Sequence, residues 1–196
     1  MITTIVLDIG GVLIDNPAGP FIDHCAKELQ CDKELLRQQA VIQLPLFQQG
    51  IIDESEFWVR ITQSLKVDNP NRPLWLDGLK SSYKEKVEIF DELKSLRSQG
   101  FRLVILSNTE PPIIKYLKTL PSFSIFDAFF VSNELHCIKP NKVIYEKVIE
   151  SCRCKPSEMI FIDDKPENLE PAKAMGMHTI LFKNEAQCLT ELNQLI

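Results

Sequence analysis

The chain has 196 residues, 44% of them hydrophobic and 25% charged, a balance that excludes intrinsic disorder and gives one sizeable core with room for a small second module. Twelve prolines and seven glycines without a period exclude collagen-like and low-complexity character. Against 22 Lys and Arg stand 27 Asp and Glu, a net charge of −5, and no basic run is dense enough for nucleic acid or an anionic membrane, so neither is expected as a partner.

The chain opens on the apolar run Ile2 to Leu7, which stops at Asp8. It has no basic flank and is too short for a signal peptide or a membrane span, so a cytoplasmic protein is expected. From Asp15 to about Lys84 the pattern is helical, with no convincing strand. Its pieces are Phe21, Cys25 and Leu29; Leu36, Ala40 and Leu44, ending at Pro45; and Phe57, Ile61 and Leu65, each spaced by four. Asp53 with Glu56 makes a capping box for the third helix. This stretch reads as an inserted helical domain, residues 15–84, within a larger domain made of residues 1–14 and 85–196. Its aromatics, Trp58 and Trp75 among them, read first as core, with Phe21, Phe47, Phe57 and Trp58 as candidates for a substrate entrance. The loop Asp15 to Gly19 is the expected hinge.

Beyond Lys84, Val87, Phe90, Leu93 and Leu96 predict a helix closed by Gly100, and the run Phe101 to Leu106 predicts a strand. Ala128 to Val131, Met159 to Ile162 and His178 to Phe182 are further short apolar or β-rich runs without clear alternation, which suits strands covered on both faces. Pro140 is taken as the first helical position of a helix carrying Val143, Ile144, Lys147, Val148 and Cys152. Helices alternating with strands predict an α/β fold, a doubly wound parallel sheet of right-handed βαβ units. Six cysteines without a Cys-x-x-Cys pair read as reduced thiols, and Cys152-Arg-Cys154 lacks the further ligands that zinc requires. His24, His136 and His178 share no ligand spacing and read as surface or satisfied interior residues.

In a parallel sheet, ligands bind beyond the carboxyl ends of the strands, so the first polar residue after each apolar run matters. These are Asp8-Ile-Gly-Gly, Ser107-Asn-Thr and Asp163-Asp164, with Lys139 just before the helix assigned to Pro140. Singly, Asp8 is a turn former, Ser107 a local backbone capper and Lys139 a solvated charge. Together they are harder to dismiss, because clustered carboxylates repel one another unless a cation sits among them. Mg²⁺, which uses one or two carboxylates together with phosphate and water, fits this set, and the chemistry suggested is phosphoryl transfer.

Asp8-Ile-Gly-Gly-Val, Leu-Ser107-Asn-Thr, Ile-Lys139-Pro and Phe-Ile-Asp163-Asp164-Lys-Pro-Glu-Asn168, in that order and spacing, resemble the four motifs of the haloacid dehalogenase (HAD) superfamily. The resemblance spans the chain and includes a helical cap inserted after the first motif. Within the superfamily it is similar to the small phosphatases that include bacterial α-glucose-1-phosphatase and the N-terminal phosphatase domain of soluble epoxide hydrolases. It implies a Rossmann-like core and a Mg²⁺-dependent phosphatase acting on a small phosphorylated metabolite, such as a sugar phosphate, through an aspartyl-phosphate. By position, Asp8 is the implied nucleophile, and Ser107 with the Asn108 amide the implied holder of phosphate oxygens. The resemblance further implies that Lys139 neutralises nucleophile and transferring group, and that Asp8, the Gly10 carbonyl and Asp164 hold the metal. Asp163 and Asn168 orient the loop.

Most members carry a second aspartate two residues after the nucleophile, where this chain has Gly10. A missing general acid costs roughly 10² to 10⁴ in rate, which favours leaving groups that need little protonation, as an anomeric sugar hydroxyl does. Two other readings remain open on the sequence. One is a metal-independent 2-haloacid dehalogenase, and the other a non-catalytic protein that binds phosphorylated metabolites.

Overall fold

The computed structural model describes residues 1–196. After β1 (Thr4–Leu7) come four helices, α1 (Ala18–Leu29), α2 (Lys33–Gln48), α3 (Glu54–Leu65) and α4 (Trp75–Lys80). Then α5 (Val87–Ser98), β2 (Arg102–Ser107), α6 (Pro111–Leu117), β3 (Ala128–Val131), α7 (Ser132–Leu135) and α8 (Lys142–Cys152) follow. β4 (Met159–Asp163), α9 (Pro166–Ala174), β5 (His178–Leu181) and α10 (Glu185–Leu195) complete the chain. The strands form one five-stranded sheet in the order β3-β2-β1-β4-β5, every neighbouring pair parallel. The fold is therefore α/β with a helical insertion between β1 and β2. All five apolar runs read from the sequence are strands.

Alternate strand residues feed two cores because a strand turns successive side chains to opposite faces. Ile5, Leu7, Leu103, Ile105, Ile160 and Ile162 pack on the face covered by α5 and α10, in a cluster continuous with the inserted helices. Val6, Val104, Leu106, Met159 and Phe161 pack on the other, against Ile144, Tyr145 and Val148 of α8 and Leu169 and Ala172 of α9. Neither face is left for polar residues, which is why the strands show no alternation in sequence.

Two helix ends differ from expectation. α2 does not stop at Pro45 but continues to Gln48. Proline removes one amide donor, but it sits in the last turn, and the Gln49 backbone N–H (3.1 Å) and side chain (3.0 Å) both donate to the Pro45 carbonyl. The extra turn buries Phe47, whose side chain rewards the extension. α8 begins at Lys142 rather than Pro140, because the Asn141 side chain caps it by accepting the Val143 N–H at 3.0 Å. Asp53 caps α3 as read, accepting the Glu56 N–H at 2.8 Å. Gly100 follows α5 at φ +96°, a left-handed position that glycine adopts without a side-chain clash. Val87, assigned to the apolar stripe, is 62% exposed, and Ile89 takes its place in the core.

The aromatic residues of the insertion gather at its centre, within the same cluster. Trp75 stands with ring centroids 4.4 Å from Phe21, 4.9 Å from Phe47 and 4.8 Å from Phe57, and Trp58 lies 5.1 Å from Phe57. Phe47, Phe57 and Trp58, considered above for the entrance, are buried in this cluster, and of the four only Phe21 is partly open to solvent.

Removing a core side chain and removing a cap should differ in scale. Leu103→Ala, in a fully buried strand position, should lose about 2–5 kcal/mol in urea unfolding. Asp53→Ala should lose about 1 kcal/mol, through the α3 cap alone.

Candidate active site

The chain leaves β1 for β2 on one side and returns through β4 on the other, so the carboxyl end of β1 lies at a topological switch point. Leu7 pairs with Ile105 of β2 and Ile162 of β4, which puts Asp8 between the ends of both neighbours. The Asp8 N–H donates to the Ile162 carbonyl at 3.0 Å, and the residue is 8% exposed. Gly11 then takes φ +85°, and a Cβ on it would collide with the Asp164 carboxylate. Glycine suits this position twice over, for the left-handed φ and for the close approach of the Asp164 side chain. Gly10 is different: a Cβ would meet only Pro17 Cδ at 3.7 Å, an ordinary contact, so the pocket has room for a side chain that the chain does not supply.

Lys139 is the centre of the site. Its ammonium is 1% exposed and uses all three protons, on Asp163 Oδ2 at 2.6 Å, Asp8 Oδ1 at 3.0 Å and the Leu106 carbonyl at 3.0 Å. Burial works against its charge, but Asp8 and Asp163 overcome it and hold the amine above the usual lysine range. Asn108 fixes the lysine backbone from both sides, donating from Nδ2 to the Lys139 carbonyl (3.0 Å) and accepting the Lys139 N–H (2.8 Å). The Asn108 backbone N–H has no acceptor within the chain. Ser107, at the last position of β2, is buried.

Asp163 is wholly buried and accepts from three donors. Oδ1 takes the Lys165 N–H and Asn168 Nδ2, both at 2.9 Å, and Oδ2 takes Asn168 Nδ2 at 3.1 Å as well as the lysine. The Asn168 carbonyl in turn accepts the Tyr145 hydroxyl at 2.7 Å. Asp164 lacks such support. Its Oδ1 is buried with no hydrogen-bond partner, and burial, then Asp8 and Asp163, push its pKa up. One carboxylate oxygen from each of Asp8, Asp163 and Asp164 lies within 4.8 Å of the others. Three acids face a single ammonium, so the site is short of positive charge. A hard cation taking oxygen ligands would correct both the deficit and the orphaned oxygen.

The structure thus brings Asp8, Gly10, Ser107, Asn108, Lys139 and Asp164 together at one sheet edge. Sequence reasoning missed the depth of the Asp163 contribution, since it grips the ammonium as well as the loop. It also missed Ser132, whose buried hydroxyl accepts the Thr109 N–H at 3.0 Å and steadies the loop after Ser107. Ser132 is the first polar residue after the run Ala128 to Val131, so the rule that located Ser107 also locates it. Glu110 and Tyr145 had no signal, because neither sits at a strand end. Of the histidines, His136 binds the Gln49 carbonyl through Nδ1 at 2.8 Å, whereas His24 has a buried, unpartnered Nε2.

Several known proteins have related sequences or structures. The rat bifunctional epoxide hydrolase 2 (Rattus norvegicus) is 42% identical over 69 residues, which is 35% of this chain and only 12% of that protein's length. A D-ribitol-5-phosphate phosphatase of Bacteroides thetaiotaomicron is 26% identical over 212 residues, covering 100% of this chain and 99% of the relative. Among solved structures, a "predicted HAD-like family hydrolase" from Porphyromonas gingivalis superposes with a TM-score of 0.81 at 29% identity over 99% of this chain and 98% of its own. A HAD family enzyme of Bacteroides thetaiotaomicron, solved as a complex with magnesium and inorganic phosphate, shares the fold with a TM-score of 0.78 at 24% identity, over 93% and 95% of the two chains. The sequence profile of haloacid dehalogenase-like hydrolases matches residues 2–176, nearly the whole length, and the chain belongs to that family.

Proposed function

We propose that the chain is a Mg²⁺-dependent phosphatase for a small phosphorylated metabolite, a sugar or polyol phosphate being the favoured class, working through an aspartyl-phosphate on Asp8. The observation that carries this reading is the gathering of Asp8, Asp163 and Asp164 within 4.8 Å of one another, where the one ammonium present pairs with Asp8 and Asp163 and leaves Asp164 Oδ1 unpaired. A dehalogenase that needs no metal has no use for that orphaned carboxylate. The names of the two Bacteroides proteins, one a phosphatase and one a complex with magnesium and phosphate, support the same choice.

In this reading Asp8 Oδ2 attacks phosphorus, since Oδ1 is held by Lys139, and the P–O ester bond breaks to release the alcohol, which takes its proton from water because Gly10 offers none. The Ser107 hydroxyl and the free Asn108 N–H receive phosphoryl oxygens, and Lys139 offsets the charge that gathers on nucleophile and phosphate in the transition state. Asp8, Asp164 and the Gly10 carbonyl, which accepts no backbone bond, would hold the Mg²⁺. The ion would supply neutralisation of carboxylate and phosphate oxygens in a water-poor site. Asp163 and Asn168 keep the lysine aimed. Water then attacks phosphorus of the aspartyl-phosphate, the acyl P–O bond breaks, and inorganic phosphate and the Asp8 carboxylate are released.

The same reading divides the chain into a core of residues 1–14 and 85–196 and a cap of residues 15–84. Support comes from the crossing point, where the Asp15 N–H donates to Lys84 and the Lys86 N–H to Leu13, each at 2.9 Å. The two connecting strands meet there as a narrow neck, with Lys86 Nζ on Asp15 Oδ1 at 2.7 Å.

Steady-state phosphate release from an aryl phosphate should need Mg²⁺, stop with EDTA and fall to background in Asp8→Asn. Chloride release from a 2-chloro acid without metal, in place of phosphate release, would replace the phosphatase reading by the dehalogenase one. Mg²⁺ at about 100 times its dissociation constant should stabilise the folded chain by about 2.7 kcal/mol, read as a rise in melting temperature. Asp164→Asn should lose most of that rise. Gly10→Asp, for which the pocket has space, should speed esters with poor leaving groups by up to roughly 10² to 10⁴ while leaving activated aryl esters little changed. Equal rates across a leaving-group series in both proteins would count against Gly10 as the missing acid.

A further inference from the structure

Glu110 has no part in the chemistry described above, yet it is among the most deeply buried acids in the molecule, 9% exposed and without a cationic partner. It stands three residues beyond Ser107, at the start of α6, in extended backbone (φ −90°, ψ 150°). Its side chain does not cap that helix. It turns instead across the seam to the insertion, where Oε1 accepts Gln48 Nε2 of α2 at 2.8 Å. The end of α2 meets the core at a second point beside it. The Gln49 carbonyl binds His136 Nδ1 at 2.8 Å, and Gly50 passes so near the Asn133 carbonyl that a Cβ would lie 2.9 Å from it. Asp8 is 8% and Lys139 3% exposed, so little of that end of the sheet is open to solvent. A phosphate ester reaches Asp8 only if the cleft above it opens.

We infer that Glu110 is a positioning residue, a latch that fastens the helical insertion through Gln48 onto the loop carrying Ser107 and Asn108, so that opening the cleft breaks this bond and wets the carboxyl. The inference rests on the phosphatase reading only in taking the cleft over Asp8 as the substrate entrance. In the shut form burial pushes the Glu110 pKa up, and Gln48, its own backbone N–H and Trp75 only partly offset this. Water restores the ordinary value of about 4.3 when the seam opens. The shut form therefore binds the proton more tightly, and acid favours closing. As pH rises above that ordinary value, closing is increasingly penalised, until the carboxyl is ionised in both forms.

No charged neighbour competes for this role. On α3, Glu54 is taken by the Trp75 N–H (3.0 Å) and Trp58 Nε1 (3.4 Å). On α4, Asp77 pairs with Arg72, and Lys80 lies 5.0 Å from the Tyr116 ring centroid. Lys115 is on α6 itself, facing no acid within ion-pair distance, and Glu134 of α7 pairs with Lys118 at 3.0 Å. His136 is on the Gln49 carbonyl, and Asp8 and Lys139 are on one another.

The two tryptophans of the chain, Trp58 and Trp75, both lie in the insertion, and Trp75 neighbours the latch. Acrylamide quenching of their fluorescence in the full chain, followed from about pH 4.5 to 9, reads the seam without any substrate. Quenching should rise with pH in the wild type, and the rise should be lost in Glu110→Gln, which keeps the shape and cannot ionise. Gln48→Leu removes the donor that favours the charged form, so the midpoint should move upward, by roughly one pH unit. With p-nitrophenyl phosphate, Glu110→Gln should flatten the pH dependence of KM more than that of kcat, a split that general destabilisation would not produce. An identical titration in wild type and Glu110→Gln, or an unmoved midpoint in Gln48→Leu should the first variant not fold, overturns the inference. Because the quenching needs no turnover, its failure is separable from failure of the phosphatase reading, which shows as absent phosphate release.

Discussion

The Lys139 ammonium is the constraint on which the rest of the site depends. Three carboxylates within 4.8 Å of one another would drive the strand ends apart or hold a shared proton if nothing positive stood among them. The lysine stem reaches from the loop before α8 and brings the charge to the two acids that flank β1 and β4, and the Leu106 carbonyl of β2 takes its third proton. One side chain thereby ties together the ends of the three central strands. Such a buried charge is tolerable only because every proton is used and both acids are fixed in turn.

That fixing is layered. Asp163 cannot swing toward a ligand because Asn168, the Lys165 amide and the lysine saturate it, and Asn168 is itself pinned by Tyr145 from the core of the opposite face. Asp164, one residue on, is left short of partners. Adjacent residues on one strand end point to different sides, so one is consumed in structure and the other stays available. The division between a structural acid and an available acid is the main asymmetry of the site.

The insertion solves a separate problem. A sheet edge that gathers charge needs to be covered during reaction and uncovered between turnovers. The inserted helices pack around Phe47, Phe57, Trp58 and Trp75, an aromatic group continuous with the core on one face of the sheet. Gln48 with Glu110 and the Gln49 carbonyl with His136 are polar contacts between the insertion and the rest of the chain, and polar contacts exchange with water at modest cost.

Strand positions, the existence of the insertion and the identity of the polar residues at strand ends were legible in the sequence. Each depends on local pattern: apolar runs bounded by a polar residue, helical spacing, and an acid before glycines. Asp8, Ser107 and Asp164 could be read in this way because a parallel sheet sends the residue after each strand to the same edge. What tertiary structure decided was everything that depends on who faces whom across the chain. Helix α2 outlasts Pro45 because burying Phe47 outweighs one lost donor, and α8 waits for Asn141 because a side-chain cap serves better than a proline. Asp163 is bound into the fold while Asp164 is not, and Glu110 is sealed against Gln48, 62 residues away in sequence. Hydrogen bonding and desolvation act through space, and no one-dimensional spacing encodes which distant donor will meet a given acid.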